Sequence, residues 1–417
     1  MTMPISVEQY RQLLLDGVER LPATQLPLTD CLGLVTASSV LAQVATPVFT
    51  NSAMDGFAVH AADLKEASRA NPVRLTVAAD VPAGSVSEEW VESGAAVRIM
   101  TGAPVPPGAD AVVQVEHTDQ PTGAAPLPAE VLIFHPVAEG ANIRLAGEDI
   151  AEGDRVLPAD TRLDAAGLAA AAATGHGQLS VYRQPRVAII ATGAELVPPG
   201  QPLDHGQIPD SNSMLLRGLA TQAGARVVLA TRCSDESSAF DQVVESALRI
   251  ADLVVTTGGV SAGTHDVVKN AARSFDLHFE TVAMQPGKPQ GYGHLTSPDG
   301  RPVALLALPG NPVSVFVSWY NFALPVLAKL AGCDPDELVR TYTVTAGTEW
   351  STPKARRQYI PVAHLDDDRV VPVHRLGSGS HLIASLHLAD ALAIVPAEVP
   401  AVSQGDPVEI MIIRPRR

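Results

Sequence analysis

Hydrophobic side chains recur every three or four positions near the start of the chain, at Val7, Tyr10, Leu14, Val18 and Leu21. This spacing is the period of an amphipathic helix. Ser6 and Gln9 have the spacing of a capping box at its start. The sequence therefore predicts that an amphipathic helix begins the protein.

After residue 47 the pattern changes to short β-branched and aliphatic runs separated by Gly and Pro turns. These runs predict strands at residues 73–78, 96–100, 111–116 and 131–135. A stretch rich in Ala and Leu predicts a helix at residues 161–174. We interpret residues 47–145 as a β-rich domain inserted into an elongated, partly helical N-terminal domain, which is made of residues 1–46 and 146–182.

From residue 186 the predicted strands and helices alternate. The strands cover residues 187–191, 225–230 and 253–256, and the helices cover residues 213–223 and 236–250. This alternation is typical of a parallel sheet that binds ligands beyond the carboxyl ends of its strands. Residues 183–330 are therefore predicted to form a central α/β domain.

The end of the chain, residues 331–417, is predicted to form a β domain that resembles a barrel. Its strands are predicted at residues 339–345, 357–363, 370–374, 391–395 and 407–413.

Just before this domain, residues 302–328 carry no charge and are long enough to cross a bilayer. Pro309-Gly-Asn-Pro312 divides them into a strand and a helix, so we expect a buried core segment.

Composition limits the classes of function. The 417 residues are 46% hydrophobic and 18% charged, which is typical of several folded domains. The formal net charge of -16 argues against a surface for nucleic acid or for an anionic membrane. The three cysteines form no Cys-x-x-Cys pair, and the first residues lack the features of a signal peptide. We expect a cytoplasmic protein that binds neither nucleic acid nor membrane.

Three of the predicted strands end in loops that contain glycine: Ala191-Thr-Gly-Ala-Glu195, Thr256-Thr-Gly-Gly-Val-Ser261 and Leu308-Pro-Gly-Asn-Pro-Val-Ser314. The carboxyl ends of parallel strands meet at one edge of a sheet, so these loops are expected to lie together. Glycine lets backbone N–H groups approach a phosphate closely, and a helix N-terminus adds partial positive charge. The alternative is a set of ordinary turns, with Asn311 capping a helix whose first residue is Pro312.

Carboxylates are predicted at the same edge, namely Glu195, Asp235 and Asp266. Mg²⁺ is usually bound by one or two protein carboxylates together with phosphate oxygens, so these acids predict a magnesium site. Taken alone, Asp235 and Glu236 are better explained as the cap and the first-turn charge of the helix that follows them.

Lys288 lies in the turn Gln285-Pro-Gly-Lys-Pro289, where it could bind an oxyanion or be an ordinary solvated lysine. Two further stretches, residues 51–57 and 142–149, place Asp55 and Asp149 beside glycines. The sequence contains no P-loop, zincin or α/β-hydrolase motif.

Six motifs follow one another along the chain: Asn51-Ser-Ala-Met-Asp-Gly-Phe-Ala58, Arg98-Ile-Met-Thr-Gly-Ala-Pro104, Gly147-Glu-Asp149, Thr257-Gly-Gly-Val-Ser261, Pro286-Gly-Lys-Pro289 and Leu308-Pro-Gly-Asn-Pro-Val-Ser314. Together they resemble the molybdopterin molybdenumtransferase family, to which the gephyrin E domain belongs. The resemblance implies an L-shaped, four-domain homodimer. It also implies that molybdate is inserted into adenylated molybdopterin and AMP is released, with Mg²⁺ assisting.

The resemblance assigns roles to residues at matching positions. The nucleotide end and Mg²⁺ would be held by Glu195, Asp235 and Asp266. The phosphate and pterin pocket would be formed by Gly258, Gly259, Ser261, Gly310, Asn311 and Pro312. Molybdate would meet Lys288, Pro289, Ser314, Arg356 and Ser380. Residues entering the cleft from the partner subunit would be Asp55, Thr101 and Asp149. The candidate catalytic residues are Asp55, Asp149, Glu195, Asp235, Asp266 and Lys288.

Two positions depart from the family pattern, since Ala194 stands where many relatives have Asp and Gln285 where many have Lys. A missing cation beside Lys288 predicts that molybdate binding is weakened by about 1 to 3 kcal/mol.

Two other functions are compatible with parts of the sequence. One is a molybdopterin adenylyltransferase, which resembles only residues 183–330, so the additional domains argue against it. The other is a non-enzymatic scaffold, against which the retained acids argue. A molybdopterin adenylyltransferase and apo-molybdoenzymes are the expected partners besides a second copy of the chain.

Overall fold

The computed structural model describes residues 3–82, 84–85, 90–234, 236–260, 267–270, 274–336, 338–352, 355–366 and 368–414. In chain order, the first part contains helix α1 (Val7–Asp16), strands β1 (Ala23–Pro27), β2 (Val40–Leu41), β3 (Asn51–Ser52), β4 (Gly56–Val59), β5 (Val73–Val81), β6 (Ala95–Ile99), β7 (Ala111–Gln114), β8 (Glu130–Ile133), β9 (Ile143–Arg144) and β10 (Arg155–Leu157), helix α2 (Ala165–Ala173) and strand β11 (Gln178–Tyr182).

The predicted N-terminal helix is α1, and its capping box is confirmed. The Ser6 hydroxyl accepts a hydrogen bond from the Gln9 N–H at 3.1 Å, and the Gln9 side chain accepts one from the Ser6 N–H at 2.9 Å. The apolar face of α1 is buried in the core of the central α/β region. There the Tyr10 hydroxyl donates to the carbonyl of Gly291 at 3.0 Å.

The expected inserted β-rich domain is confirmed. Strand β1 pairs with β11 and β2 pairs with β10, so the chain on both sides of the insertion forms one unit. The inserted residues contain a five-stranded sheet in the order β7-β4-β6-β5-β8. The helix predicted at residues 161–174 begins later, at Ala165, because Asp164 caps it by accepting from the Gly167 N–H at 2.8 Å.

The central region contains β12 (Arg186–Thr192), β13 (Leu196–Val197), β14 (Ile208–Pro209), α3 (Ser211–Gln222), β15 (Arg226–Cys233), α4 (Ser237–Ile250), β16 (Leu253–Thr257), α5 (Val267–Asn270), β17 (Leu277–Thr281), β18 (Met284–Gln285), β19 (Pro289–Thr296), β20 (Pro302–Leu308), α6 (Pro312–Ser318), a π-helical turn (Trp319–Ala323) and α7 (Leu324–Leu330). Its main sheet has the order β15-β12-β16-β20-β19-β17.

This sheet is mixed, which corrects the expectation of a parallel sheet. Strands β15, β12, β16 and β20 are parallel, whereas β19 and β17 run antiparallel to their neighbours. Strands β19 and β20 are joined by the short turn at residues 297–301, in which Gly300 has φ +83°. Parallel neighbours need a much longer crossover, so a turn this short joins antiparallel strands. The turn residues Ser297-Pro-Asp-Gly300 are the signal in the sequence that predicts this hairpin.

The uncharged segment is confirmed as core. Pro312–Leu330 is long and apolar enough to cross a membrane, but 83% of its apolar window is buried inside the protein. Pro325 has no N–H and cannot continue the α-helical hydrogen bonds. The π turn just before it accommodates this, since the Leu324 N–H bonds to the Trp319 carbonyl and the Asn321 side chain donates to the Val317 carbonyl at 2.9 Å.

The C-terminal region contains β21 (Thr341–Ala346), β22 (Trp350–Ser351), β23 (Arg357–His364), β24 (Arg369–Pro372), β25 (Ala391–Val395), β26 (Ala401–Val402) and β27 (Pro407–Ile412). Strands β23, β24, β21, β27 and β25 pair in this order, and β25 pairs back with β23. The expected barrel is therefore confirmed as a closed barrel of five strands. Strand β18, which belongs to the central region in sequence, pairs with β23 and extends the sheet of the barrel.

Candidate functional site

The three glycine loops start level with one another. In the sheet, Ala191 of β12 is paired with Thr257 of β16, and Thr257 is paired with Leu308 of β20. The expectation that these loops lie at one edge of the sheet is therefore confirmed. Loops that leave three adjacent strands at the same height form the floor of a crevice of the kind that binds ligands in open α/β sheets.

Gly258 and Gly259 are required by the backbone at this edge. Their φ angles are +96° and +68°. A Cβ on Gly258 would lie 2.6 Å from the Thr192 carbonyl oxygen, and one on Gly259 would lie 2.7 Å from a methyl group of Val268. The Gly258 N–H is already bonded to the Leu308 carbonyl at 3.1 Å. Backbone donors for a ligand can therefore begin only at Gly259.

Asn212, in the first turn of α3, connects two of the loops through its side-chain hydrogen bonds. Its side-chain amide donates to the Thr257 hydroxyl at 2.9 Å and to the Gly310 carbonyl at 2.6 Å. The Thr257 hydroxyl in turn donates to the Pro309 carbonyl at 3.3 Å. The Asn212 side-chain oxygen is buried and has no hydrogen-bond partner among the described residues. Sequence analysis missed this residue.

Glu195 is exposed, and its carboxylate folds over Gly193, where an added Cβ would lie 2.6 Å from a carboxylate oxygen. The other predicted magnesium ligands, Asp235 and Asp266, lie outside the described residues, as does Ser261. Within the described ranges no group of three His, Cys, Asp or Glu side chains could hold a metal. One exposed carboxylate still fits Mg²⁺, which takes its other ligands from water and phosphate.

The turn that carries Lys288 is fixed from behind, while the Lys288 side chain is exposed. Gln290 is fully buried, and its amide donates to the Gly287 carbonyl and to the Ser318 hydroxyl, both at 2.7 Å. Ser314, one helical turn before Ser318 on α6, is also buried. Gln290 therefore holds the lysine turn against α6, a role that sequence analysis did not assign.

The barrel supplies contacts to the same edge. The Asn311 side chain donates to the Ser380 hydroxyl at 3.0 Å, and the Ser380 carbonyl accepts from the Val313 N–H at 3.0 Å. Asn311 is the N-cap residue of α6 and Pro312 its first residue, as the alternative expected, but the Asn311 side chain makes no capping bond and is used for Ser380 instead. The Arg356 guanidinium lies 3.4 Å from the side-chain oxygen of Gln285.

Asp55 and Thr101 are brought together in the inserted domain. One oxygen of the exposed Asp55 carboxylate accepts from the Thr101 N–H at 2.7 Å and from its hydroxyl at 2.8 Å. These hydrogen bonds lower the pKa of Asp55. Asp149 is also exposed, and its N–H bonds to the Thr46 carbonyl at 3.1 Å. All of these bonds lie within residues 46–149.

Known proteins resemble this chain over almost its whole length. It is 38% identical over 413 residues to molybdopterin molybdenumtransferase 2 of Mycobacterium tuberculosis, with 97% of this chain and 98% of that protein covered. It is 36% identical over 385 residues to the molybdopterin molybdenumtransferase of Nostoc sp., with 91% and 86% covered. The chain belongs to the MoeA family of molybdopterin molybdenumtransferases. It is thus an enzyme of molybdenum cofactor biosynthesis.

Family descriptions and solved structures agree with MoeA membership. "MoeA N-terminal region (domain I and II)" matches residues 5–175, "Probable molybdopterin binding domain" matches residues 188–329, and "MoeA C-terminal region (domain IV)" matches residues 343–413. A crystal structure of the molybdopterin biosynthesis MoeA protein of Pyrococcus horikoshii superposes with a TM-score of 0.82 at 28% identity, covering 99% of this chain and 100% of that one. The single-domain adenylyltransferase alternative is therefore wrong.

Proposed function

We propose that this MoeA family member inserts molybdenum from molybdate into adenylated molybdopterin and releases AMP, with Mg²⁺ assisting. The observation that carries the proposal is the meeting of three glycine loops with the Lys288 turn and with Ser380 of the barrel. This edge offers backbone donors for phosphate, an exposed carboxylate for a divalent cation and exposed positive charge for an oxyanion.

The phosphate end of the substrate is proposed to lie over the loop that begins at Gly259. Asn212 keeps this loop and the Gly310 loop together, so their backbone groups are positioned before the substrate binds. Mg²⁺ would be held by Glu195 with Asp235 and Asp266, and when bound it would neutralise charge on the phosphate oxygens.

Molybdate is proposed to bind between Lys288 and Arg356. Gln285 contributes no charge, but its side-chain oxygen accepts a hydrogen bond at 3.4 Å from the cationic guanidinium of Arg356. A guanidinium presents several donors in one plane, so Arg356 can bind Gln285 and an oxyanion at the same time. We therefore propose that Arg356 supplies the second positive charge of the molybdate site. This revises the weaker molybdate affinity that Gln285 alone predicts.

The active enzyme is proposed to be a cytoplasmic homodimer. Asp55, Thr101 and Asp149 would reach the cleft of the partner subunit, and their exposed side chains are consistent with this. A molybdopterin adenylyltransferase would supply the substrate, and apo-molybdoenzymes would receive the product.

The test is AMP release from adenylated molybdopterin by the purified protein with Mg²⁺, measured with and without molybdate. The matched control is Glu195→Gln, which keeps the size of the side chain but removes its charge. We expect release that requires molybdate and is lost in the control. Tight substrate binding with no release under any condition would contradict the proposal and indicate a carrier.

A further inference from the structure

A cavity of about 420 Å³ lies at the opposite edge of the central sheet, where β12, β16 and β20 begin. Its size is in the range of small-molecule sites. One wall is the segment at residues 17–22, which follows α1, and the other is formed by residues at the starts of the three strands. No residue of the proposed molybdate and phosphate site lines this cavity.

Asp252 lies at the wall of the cavity, and only 1% of its side chain is exposed. Six N–H donors lie within hydrogen-bonding distance of its two oxygens: two of the Arg183 guanidinium at 2.8 and 3.0 Å, two of the Arg186 guanidinium at 3.0 and 3.2 Å, the Arg186 backbone N–H at 2.9 Å, and one of the Arg301 guanidinium at 3.3 Å. A carboxylate has about four lone-pair sites. The donors around Asp252 therefore exceed what it can accept.

Positive charge is also in excess. The guanidinium groups of Arg183, Arg186 and Arg301 share only two carboxylates. Asp252 is paired with all three, and Asp299 is paired with Arg301 alone. The Arg183 and Arg186 side chains are 32% and 31% exposed, so both guanidinium groups reach the cavity. In the described structure, Nε of Arg183 and Nη1 of Arg186 have no hydrogen-bond partner within the protein.

The other charges at the rim sum to one negative charge, which lies on Glu19. Arg20 is paired with Asp160 at 2.8 Å. Glu19 is exposed and contributes one negative charge that opposes an anion. Below the guanidinium groups the floor of the cavity is apolar and is formed by Val18, Leu21, Ala304 and Leu330.

We propose that this cavity binds a small organic phosphate, whose charged group lies on Arg183 and Arg186 and whose apolar part lies on the floor beside Ala304. Guanidinium forks bind phosphate oxygens in pairs, and an apolar floor favours a ring or a short chain over inorganic phosphate. The proposal does not depend on the reaction proposed above, because the two sites lie at opposite edges of the sheet.

The probe is phenyl phosphate, and its binding is measured by calorimetry and by protection of Arg186 from phenylglyoxal, with the modified peptides identified by mass spectrometry. We expect saturable binding, protection of Arg186, and at least tenfold weaker binding of inorganic phosphate. Phenol lacks the charge and should not protect. If phenyl phosphate leaves Arg186 as reactive as in the free protein, the cluster only joins the strand starts and the proposal is wrong.

Three variants locate the binding. Lys288→Ala removes one of the two cations of the proposed molybdate site, so protection of Arg186 should be unchanged. Ala304→Phe fills the floor and should abolish binding, provided that circular dichroism shows a folded protein. Glu19→Gln changes only an exposed side chain and should tighten phenyl phosphate about twofold to fivefold, the range for one exposed charge. Binding that Lys288→Ala abolishes, or that Glu19→Gln does not tighten, would overturn the proposal.

Discussion

Asn212 is the residue on which the geometry of the glycine loops depends most. It is 9% exposed, and its amide binds a side chain of one loop and the backbone of another. Removing one partner of a buried hydrogen bond leaves the other partner unsatisfied, at a cost of about 1–3 kcal/mol. Loss of Asn212 should therefore affect both folding and the position of the loop that begins at Gly259, where phosphate is proposed to bind.

Asn212→Ala is expected to lower the free energy of unfolding by about 1–3 kcal/mol and to raise the KM for adenylated molybdopterin. Ser213→Ala is the matched control, because the Ser213 hydroxyl is buried in the same helical turn without a hydrogen-bond partner in the described structure. Urea unfolding and AMP release measure the two effects. Equal effects of the two substitutions would show that Asn212 does not hold the loops.

Arg356 and Gln285 allow a charge exchange at the proposed molybdate site. Arg356→Gln should raise the molybdate concentration for half-maximal turnover about tenfold or more, since one charge-assisted hydrogen bond is lost. Gln285→Lys alone should give no tightening because Arg356 already stands there. The double variant should recover much of the loss. Unchanged molybdate dependence in Arg356→Gln would refute the role of Arg356.

The exposed and the buried residues of the site differ in how well the sequence predicts them. Glu195 and Lys288 stand in or beside glycine-containing turns, and such local signals can be read along the chain. Asn212 and Gln290 cannot be found in this way. The partners of Asn212 lie 45 and 98 residues away, and they become neighbours only when the order of the strands is known.

At the scale of elements, Asp252 joins the starts of three strands. It precedes β16, and its partners Arg186 and Arg301 stand at the starts of β12 and β20. Burial alone would raise the pKa of Asp252, but the hydrogen bonds from Arg183 and Arg186 outweigh it, so its pKa is lowered. The ionised Asp252 therefore stabilises the folded protein. This contribution is fully present above the pKa that Asp252 has in the unfolded chain, and it is lost as the pH falls through the lower pKa that Asp252 has in the folded protein.

Asp252→Asn should lower the free energy of unfolding at neutral pH by about 3–5 kcal/mol, because it leaves guanidinium groups without their buried partner. It should also reduce the loss of stability on acidification, since one carboxylate with a lowered pKa is gone. Urea unfolding between pH 3 and 7, with the exposed Asp204→Asn as a control, measures both effects. An undiminished acid dependence in Asp252→Asn would contradict this account.

Elements with a long, regular pattern were predicted best. The helices of the α/β region and the strands of the barrel follow from periodicity, whereas β17 and β19 were missed. The apolar side chains of β19 are interrupted by Gly291 and Gly293, where an added Cβ would lie 2.8 Å from Phe279 and 2.7 Å from Leu277 of the neighbouring strand. The packing of the neighbouring strand leaves no space for side chains at these two positions, so both must be glycine. Glycine inside a strand weakens the alternating pattern by which a strand is predicted from sequence.

The proposed homodimer predicts that variants complement each other. Asp55→Asn and Glu195→Gln should each be inactive. If Asp55 acts across the interface, each mixed dimer contains one intact site and one site that lacks both residues. Unfolding and refolding an equal mixture makes about half of the dimers mixed, so about a quarter of the normal activity should return. AMP release measures this. No recovery, despite mixed dimers detected by native mass spectrometry, would place both residues in the same subunit's site.

The pairing of β18 with β23 has a consequence for engineering chimaeras from relatives. The strand that precedes the lysine turn is hydrogen-bonded to the barrel, although it belongs to the central region in sequence. Exchanging residues 331–417 alone would graft a foreign barrel onto a native β18. A functional module for exchange therefore comprises residues 282–289 together with the barrel, so its natural boundaries are discontinuous in the gene.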